Sequence, residues 1–335
     1  GMSIRIRGTS SINSSSEPLI VINNIPYDTE IDADFDFTTA DEEGYAQMLN
    51  VSPGDIKEIA VLKDAAATAQ WGSRAANGVV MITTKRGTKG KPQLRYSYKG
   101  SISEAPNPIP MLNGDEYTTM ILEGYMNKEG IPLPDEHQEF RYDPEWSEFH
   151  NYNQNTDWVD AVTRTGYKHD HNISLTGGGE KARYRASVGY LDDAGITLGT
   201  SLNRLTTMLN LDYYVSDKIT IVTDLSYTRG DNDKTFPEID SKKKYKNSSV
   251  REIAYKKMPN MSVYERDSEG NSTGNFLSPR ENIQGSWYDT YNPVAMAEKG
   301  MYNIINNRVI PKFGLRYNIL KNLRYNFDIS FDINN

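Results

Sequence analysis

The sequence predicts a small α+β unit over residues 1–87, then the N-terminal part of an antiparallel transmembrane β-barrel over residues 88–335. Three observations carry this. The hydrophobic period changes to two near residue 94 and keeps that period in separate segments to the end of the chain. The connections between those segments alternate strictly between short and long. Tyr is abundant, with 22 Tyr against 9 Phe, and suits an interfacial girdle because its ring is apolar and its tip polar.

The first unit reads as short elements. Ser3–Gly8 alternates and ends on glycine, and Pro18–Ile22 is a short buried strand followed by turn chemistry at Asn23, Asn24 and Pro26. Asp55–Leu62 alternates, and Gly78–Thr84 is a continuous β-prone run. Between them, Asp64 offers an N-cap to the alanine-rich run ending at Trp71, and Gly72 offers a stop, so a helix is expected over Asp64–Trp71. Residues 28–43 hold eight acidic side chains. Asp28, Glu30, Asp32, Asp34 and Asp36 could supply oxygen ligands to Ca²⁺, but the spacing lacks the glycine turn and closing Glu of an EF-hand, so a solvated acidic loop is the expectation.

The second unit alternates. Strands are expected near 94–103, 167–177, 182–191, 204–215, 219–229, 307–319 and 323–333, joined in sequential order as an open sheet. In the last, Leu323, Tyr325, Phe327, Ile329, Phe331 and Ile333 oppose Arg324, Asn326, Asp328, Ser330 and Asp332, eleven residues in one phase. That is the length of a tilted membrane strand. Short turns are expected at 177–180, 216–218 and 320–322, and long loops, extracellular in a barrel, near 104–166, 192–203 and 230–304. A soluble sandwich gives no reason for the long loops to fall on one end. The polar phase would face the lumen, which makes Arg183, Arg185, Asp212, Asp224, Arg316, Arg324, Asp328 and Asp332 lumen-facing candidates.

Composition excludes several classes. There is no Cys, hence no disulfide framework, thiolate metal site or cysteine nucleophile. A net charge of −8 without a basic block argues against nucleic acid. No apolar run reaches the roughly 18 residues of a membrane helix. No nucleophile motif, phosphate loop or dinucleotide fingerprint is found, so neither an enzyme nor a cofactor is expected. His169 and His171 share a strand face, but no third metal ligand is evident, so no metal site is expected.

The most specific stretch is Val61–Gly87, with Lys63-Asp64-Ala65-Ala66-Ala67 leading to Trp71-Gly72-Ser73-Arg74-Ala75-Ala76-Asn77-Gly78 and Lys85-Arg86-Gly87. It resembles the plug signature of SusC/RagA-type TonB-dependent receptors. Ile4–Asn13 resembles the upstream plug motif, and Glu17–Ile22 the strand after it. Looser echoes follow at Asn155–Trp158, Asn172–Gly178 and Gly189–Leu191. The chain departs from the pattern at Asn23-Asn24-Ile25-Pro26, where Asp-Gly before Val-Pro is common, at Trp71 for Tyr and at Ala75 for Gly.

The resemblance implies an outer-membrane protein that imports oligosaccharides or peptides, capped by a SusD-like surface lipoprotein and driven by TonB with ExbB and ExbD. It implies structural or gating roles for Arg5, Arg7, Gly8, Asp64, Gly72, Arg74, Asn77, Gly78, Lys85 and Arg86, with lumen charges pairing to plug charges such as Arg5, Arg7, Asp64 and Arg74. Trp146, Trp158 and Trp287 lie in the long loops and are candidates for ligand or lid contacts, or for loop-core anchors. A complete family barrel has 22 strands, so an internal fragment with about seven is expected, without signal peptide, TonB box or early plug. The rival classes are a receptor that signals without transport and a soluble β-rich binding module or adhesin.

Overall fold

The computed structural model describes residues 18–27, 51–62, 64, 69–130, 133–135, 137–234, 250–278, 291–300 and 302–335. The expected strand at Ser3–Gly8, the acidic loop at 28–43 and Trp287 lie outside them.

A small sheet comes first, with strands β1 (Leu19–Ile22), β2 (Ile25–Tyr27), β3 (Ile56–Leu62) and β4 (Val79–Thr84) in the order β2-β1-β4-β3. β1 and β4 are parallel, while β1/β2 and β3/β4 are antiparallel. The Asn23-Asn24 pair closes the β1–β2 hairpin with φ of 49° and 67°. Two successive positive φ angles suit the right-handed twist of a two-residue hairpin, and Asn tolerates them. Pro26 therefore sits in an edge strand, where its missing N–H is harmless, rather than in the turn. Val21, Val79 and Ile82 are fully buried between the layers.

The helix expected over Asp64–Trp71 falls in part outside the described residues. Residues 65–68 lie outside the description, and Ala69–Ala75 forms tight 3₁₀ turns interrupted at Gly72, whose φ and ψ are 62° and −149°. Glycine is thus a kink between two short turns, because a left-handed residue cannot carry the helical hydrogen bonds onward.

The large sheet holds β5 (Gly90–Ser103), β6 (Gly166–Gly178), β7 (Ala182–Ala194), β8 (Ser201–Tyr214), β9 (Ile219–Lys234), β12 (Tyr302–Leu320) and β13 (Leu323–Ser330). All seven expected strands form, in sequential order, each antiparallel to its neighbour, as one open sheet without a Greek-key crossover. The sandwich alternative is therefore overturned. The final strand is not continuous. It breaks at Phe331–Asp332 and resumes in register as β14 (Ile333–Asn334). Pro311 stands opposite: Phe331 donates its N–H to the Pro311 carbonyl at 3.1 Å, and proline has no N–H to return.

The phase of the sheet is inside out relative to a soluble protein. Leu94, Ile173, Val188, Leu209, Leu225, Phe313, Phe327 and Ile329 point outward and are exposed. Asn172, Ser174, Arg185, Ser187, Asn210, Asp224 and Lys312 point inward and are buried. Toward the long-connection end the strands outrun this apolar band. The next two outer-face rows are mostly polar, with Asp192, Asn203 and Asp231 beside Ile305 in one and Ser201, Asp233 and Asn303 beside Tyr167 and Ala194 in the other. Alternation of hydrophobicity fades there although the ladder continues. The connection expected at 192–203 therefore shrinks to residues 195–200, and that at 230–304 to 235–301.

At that same end the connections share one core. Helices α1 (Gly114–Glu129), α2 (Phe149–Tyr152), α3 (Trp158–Ala161), α4 (Val250–Lys256) and α5 (Pro293–Lys299), with the hairpin β10 (Tyr264–Arg266) and β11 (Ser272–Phe276), are built from residues 104–165 and 235–301. Tyr152, Trp158, Val162, Val250, Met261, Leu277 and Val294 pack together from both connections. α1 starts with a reciprocal capping box between Asn113 and Glu116 and ends on Gly130 in the left-handed region.

Candidate functional site

Two short segments carry the small sheet to the inner face of the large one. The first is Val51–Asp55, whose Pro53–Asp55 turn leads into β3. Asp55 is 2 % exposed. Its Oδ1 accepts from Arg185 Nη2 at 2.7 Å and its Oδ2 from the Ser187 hydroxyl at 2.8 Å. Arg185 also donates to Thr176 Oγ1 at 3.0 Å, and Asn172 Nδ2 donates to Ser52 Oγ at 2.9 Å. Both ions of the Asp55–Arg185 pair are buried, so removing one would strand the other in a low dielectric. A Cβ on Gly54 would stand 2.8 Å from the Asn172 side chain, so only glycine permits this approach.

The second segment is Lys85–Lys89, between β4 and β5. Arg86 reaches two neighbouring strands of the large sheet. Its Nη2 lies 2.7 Å from Asp212 Oδ1 and 2.9 Å from Asp224 Oδ1, while Nη1 donates to Asp224 Oδ2 at 3.0 Å and Nε to Asp212 Oδ2 at 3.3 Å. The planar fork thus engages both carboxylates in bidentate fashion. Burial opposes its charge, but the hydrogen bonds and negative charges of Asp212 and Asp224 outweigh burial and hold the guanidinium above its ordinary pKa. The guanidinium keeps its charge at any biological pH, so loss of its proton does not open the contact. Its side chain remains 30 % exposed, so water can take over the released groups. Lys85 Nζ donates to the Gly54 carbonyl at 2.7 Å and ties the two segments together. Lys312 of β12 donates to the Asn23 carbonyl of the small sheet at 2.9 Å.

The structure thus brings Lys85, Arg86, Arg185, Asp212 and Asp224 together. It places other candidates elsewhere. Arg183 lies over the Tyr214 ring, Arg324 donates to Asn318, Asp328 pairs with Arg316, and Asp332 pairs with Arg308. Asp64, Gly72 and Arg74 are exposed, Asn77 is half-buried and Gly78 is buried. Arg5, Arg7 and Gly8 are outside the described residues. The sequence reading missed Ser52, Asp55, Asn172 and Lys312; a buried acid after Pro53-Gly54 is the one local signal that could have marked Asp55.

Trp146 and Trp158 pack in the loop core. Trp158 is 3 % exposed and its Nε1 donates to the Met258 carbonyl at 2.8 Å. Trp146 stacks on Tyr152. Trp158 thus packs into the loop core and also lines a cavity of about 320 Å³ with Pro108, Ile109, Asn155 and Lys257. His169 and His171 face outward, with Nδ1 atoms 2.7 Å from Tyr98 OH and 2.8 Å from Tyr96 OH.

Residues 1–79 match the family model of the TonB-dependent Receptor Plug Domain. The chain is similar to the TonB-dependent receptor SusC of Bacteroides thetaiotaomicron, at 38 % identity over 63 % of this chain and 18 % of that protein. It is similar to the TonB-dependent receptor P3 of Formosa agariphila, at 28 % identity over 99 % of this chain and 28 % of that protein. Among solved structures, the RagAB peptide transporter aligns with a TM-score of 0.72 at 21 % identity, covering 99 % of this chain and 36 % of that one. The chain therefore spans less than a third of the length of either curated relative. The small sheet is a plug, the large sheet is the wall of an unclosed barrel, and the chain belongs to the SusC/RagA-type TonB-dependent receptors.

Proposed function

We propose that this chain supplies the plug and the first barrel strands of an outer-membrane importer that takes up an oligosaccharide in a TonB-dependent way. The observation that carries this reading is the attachment of the plug. Arg86 is clasped by carboxylates from two wall strands but stays partly solvated, an arrangement that seals and still yields to a pull. TonB, with ExbB and ExbD, would provide that pull through a segment outside this chain. A SusD-like lipoprotein would present cargo above the loop layer.

Support for an uncharged polar cargo comes from the inner wall between plug and loops. Its charges are neutralised within the wall, as in Lys168 with Asp193 and Arg308 with Asp332, and amides such as Asn232 and Asn306 lie on the same face. Such a surface offers hydrogen bonds to hydroxyls without demanding a charged partner. A peptide is the second cargo class, and the fold it shares with a peptide transporter keeps that class in view. The test is uptake by cells expressing the full-length receptor with its neighbouring lipoprotein, using labelled neutral glycan oligomers and peptides of equal size. Glycan uptake that stops with a protonophore is the expected outcome; peptide uptake alone would refute the cargo, and uptake indifferent to the protonophore would refute the mechanism.

A further inference from the structure

Near the short turn between β6 and β7, a cavity of about 490 Å³ separates the plug from strands β5, β6 and β7. Five cations line it: Lys57, Lys85 and Arg86 from the plug side, and Arg95 and Arg185 from the wall. Among the described residues no carboxylate lines it. Two of the five cations are answered from outside the cavity, Arg86 by Asp212 and Asp224 and Arg185 by Asp55. The other three are not. Lys85 donates to the Gly54 carbonyl, which carries no charge. Lys57 and Arg95 are exposed and make no hydrogen bond or ion pair among the described residues.

Local structure sets these charges in place. Lys57 is the extra residue of a β-bulge, because Ile56 pairs with Thr84 and Glu58 with Thr83. A bulge breaks the ladder and re-aims the side chain. Arg95 stands opposite Ser174 on the inner face of the wall, one row from Gln93 and Thr176. Thr83, Thr88, Gln93 and Ser174 add hydroxyl and amide donors to the lining. Arg185 spends its Nη groups on Thr176 and Asp55, and its buried Nε has no acceptor. Few buried donors in native proteins stay unpaired. The lining is thus rich in donors and positive charge, and short of acceptors.

We infer that this cavity binds a small multivalent oxyanion of the phosphate class, which bridges Lys57 and Lys85 of the plug to Arg95 and Arg185 of the wall. Without the ion, like charges face one another across the interface and oppose docking. With it, the same charges are drawn to a shared centre, and guanidinium groups suit phosphate oxygens in particular. A water takes roughly 30 Å³, so the space holds the ion with part of its hydration. Both sides hold the ion, so it leaves when the plug moves and returns when the plug reseats. The inference concerns the resting plug and does not depend on which cargo is imported.

The test uses the full-length receptor purified in detergent. Binding of radiolabelled inorganic phosphate is measured by equilibrium dialysis at constant ionic strength, and protease clipping of the plug is timed in phosphate and in chloride. Lys57→Gln and Arg95→Gln are the variants, because neither side chain has another contact among the described residues to lose. The expected result is saturable binding that weakens about tenfold with each substitution, the scale of one charge-assisted hydrogen bond. At phosphate about twice the measured dissociation constant, clipping of the unsubstituted receptor should slow about threefold. The variants at that concentration should respond far less, and in chloride they should be clipped no faster than the unsubstituted receptor. No saturable binding, binding indifferent to both substitutions, or clipping indifferent to phosphate would overturn the inference. Faster clipping of Arg95→Gln in chloride would overturn it too, by showing that a carboxylate elsewhere in the barrel already holds Arg95.

Discussion

The plug–wall interface and the loop layer are both buried, yet they are built from opposite materials. The interface is polar, with Asp55, Arg185, Asn172 and Asn210 all nearly inaccessible, whereas the loop layer is held by Trp158, Val162, Val250 and Met261. Apolar burial is cooperative and indifferent to direction, which suits a part that moves as a whole. Hydrogen-bonded and ionic contacts are directional, and each can be exchanged for water one at a time. The contrast separates a part made to stay folded from a part made to let go.

The sharpest way to break the comparison is to empty the loop core. Trp158→Ala should cost the layer about 3–5 kcal/mol, the usual range for a buried aromatic, and expose residues 104–165 and 235–301 to protease together. The barrel should keep its heat-modifiable gel mobility. Digestion of one connection alone would show that the two do not share a core.

The interface should rank its contacts by burial. Asp55→Ala strands Arg185 and should loosen the plug by about 3 kcal/mol, read as faster protease clipping of the plug and greater leakage of a large antibiotic. Arg86→Gln should cost closer to ~1 kcal/mol, because that guanidinium is partly solvated. Equal effects would mean that burial does not set the strength of these contacts.

The outer face gives a control on phase. Ile329 points outward and Ser330 inward. Arginine at the bilayer midplane costs about 2–4 kcal/mol in measured barrels, so Ile329→Arg should impair assembly in outer-membrane fractions while Ser330→Arg assembles. Equal tolerance would mean that the face is misassigned.

A pH-dependent effect concerns Lys257, beside the Trp158 ring in the loop layer. Burial pushes its pKa down from 10.5 to about 8. The unfolded chain therefore holds this proton more tightly, and between pH 8 and 10.5 the folded layer should gain stability as pH rises. The full shift corresponds to at most about 3 kcal/mol, and roughly half is a realistic expectation. Lys257→Met should flatten this rise when protease resistance of the loops is followed across that range; an unchanged slope would assign the titration to another group.

Local pattern made the strands and their phase legible, since one residue of slip would turn every side chain to the wrong face. It failed where pattern and ladder part company. Asp192 and Asp231 are polar on the outward face beyond the apolar band, so alternation stopped before the strands did. Pro311 interrupts β13 from a neighbouring strand, a cause no window around Phe331 contains. The β2 strand was hidden because Asn23-Asn24-Ile25-Pro26 reads as one turn. At the interface, Arg86 lies 126 and 138 residues from its two carboxylates, and Asp55 lies 130 from Arg185. Residue type identified Arg86, Asp212 and Asp224 as candidates, but which cation meets which carboxylate is decided by strand register across the whole sheet.

The overrun of the strands beyond their apolar band acts as a pedestal. From Leu205 to Ser201 the ladder continues for four residues, roughly 13 Å along the strand at about 3.3 Å per residue. With the usual barrel tilt of about 40°, that is close to 10 Å of height. In a bilayer the loop layer would stand clear of the lipid headgroups, on a collar of Asp192, Asn203, Asp231 and Asp233. A partner arriving from outside would then meet protein before lipid, and changes in bilayer thickness would be taken up by the collar instead of reaching the loop core.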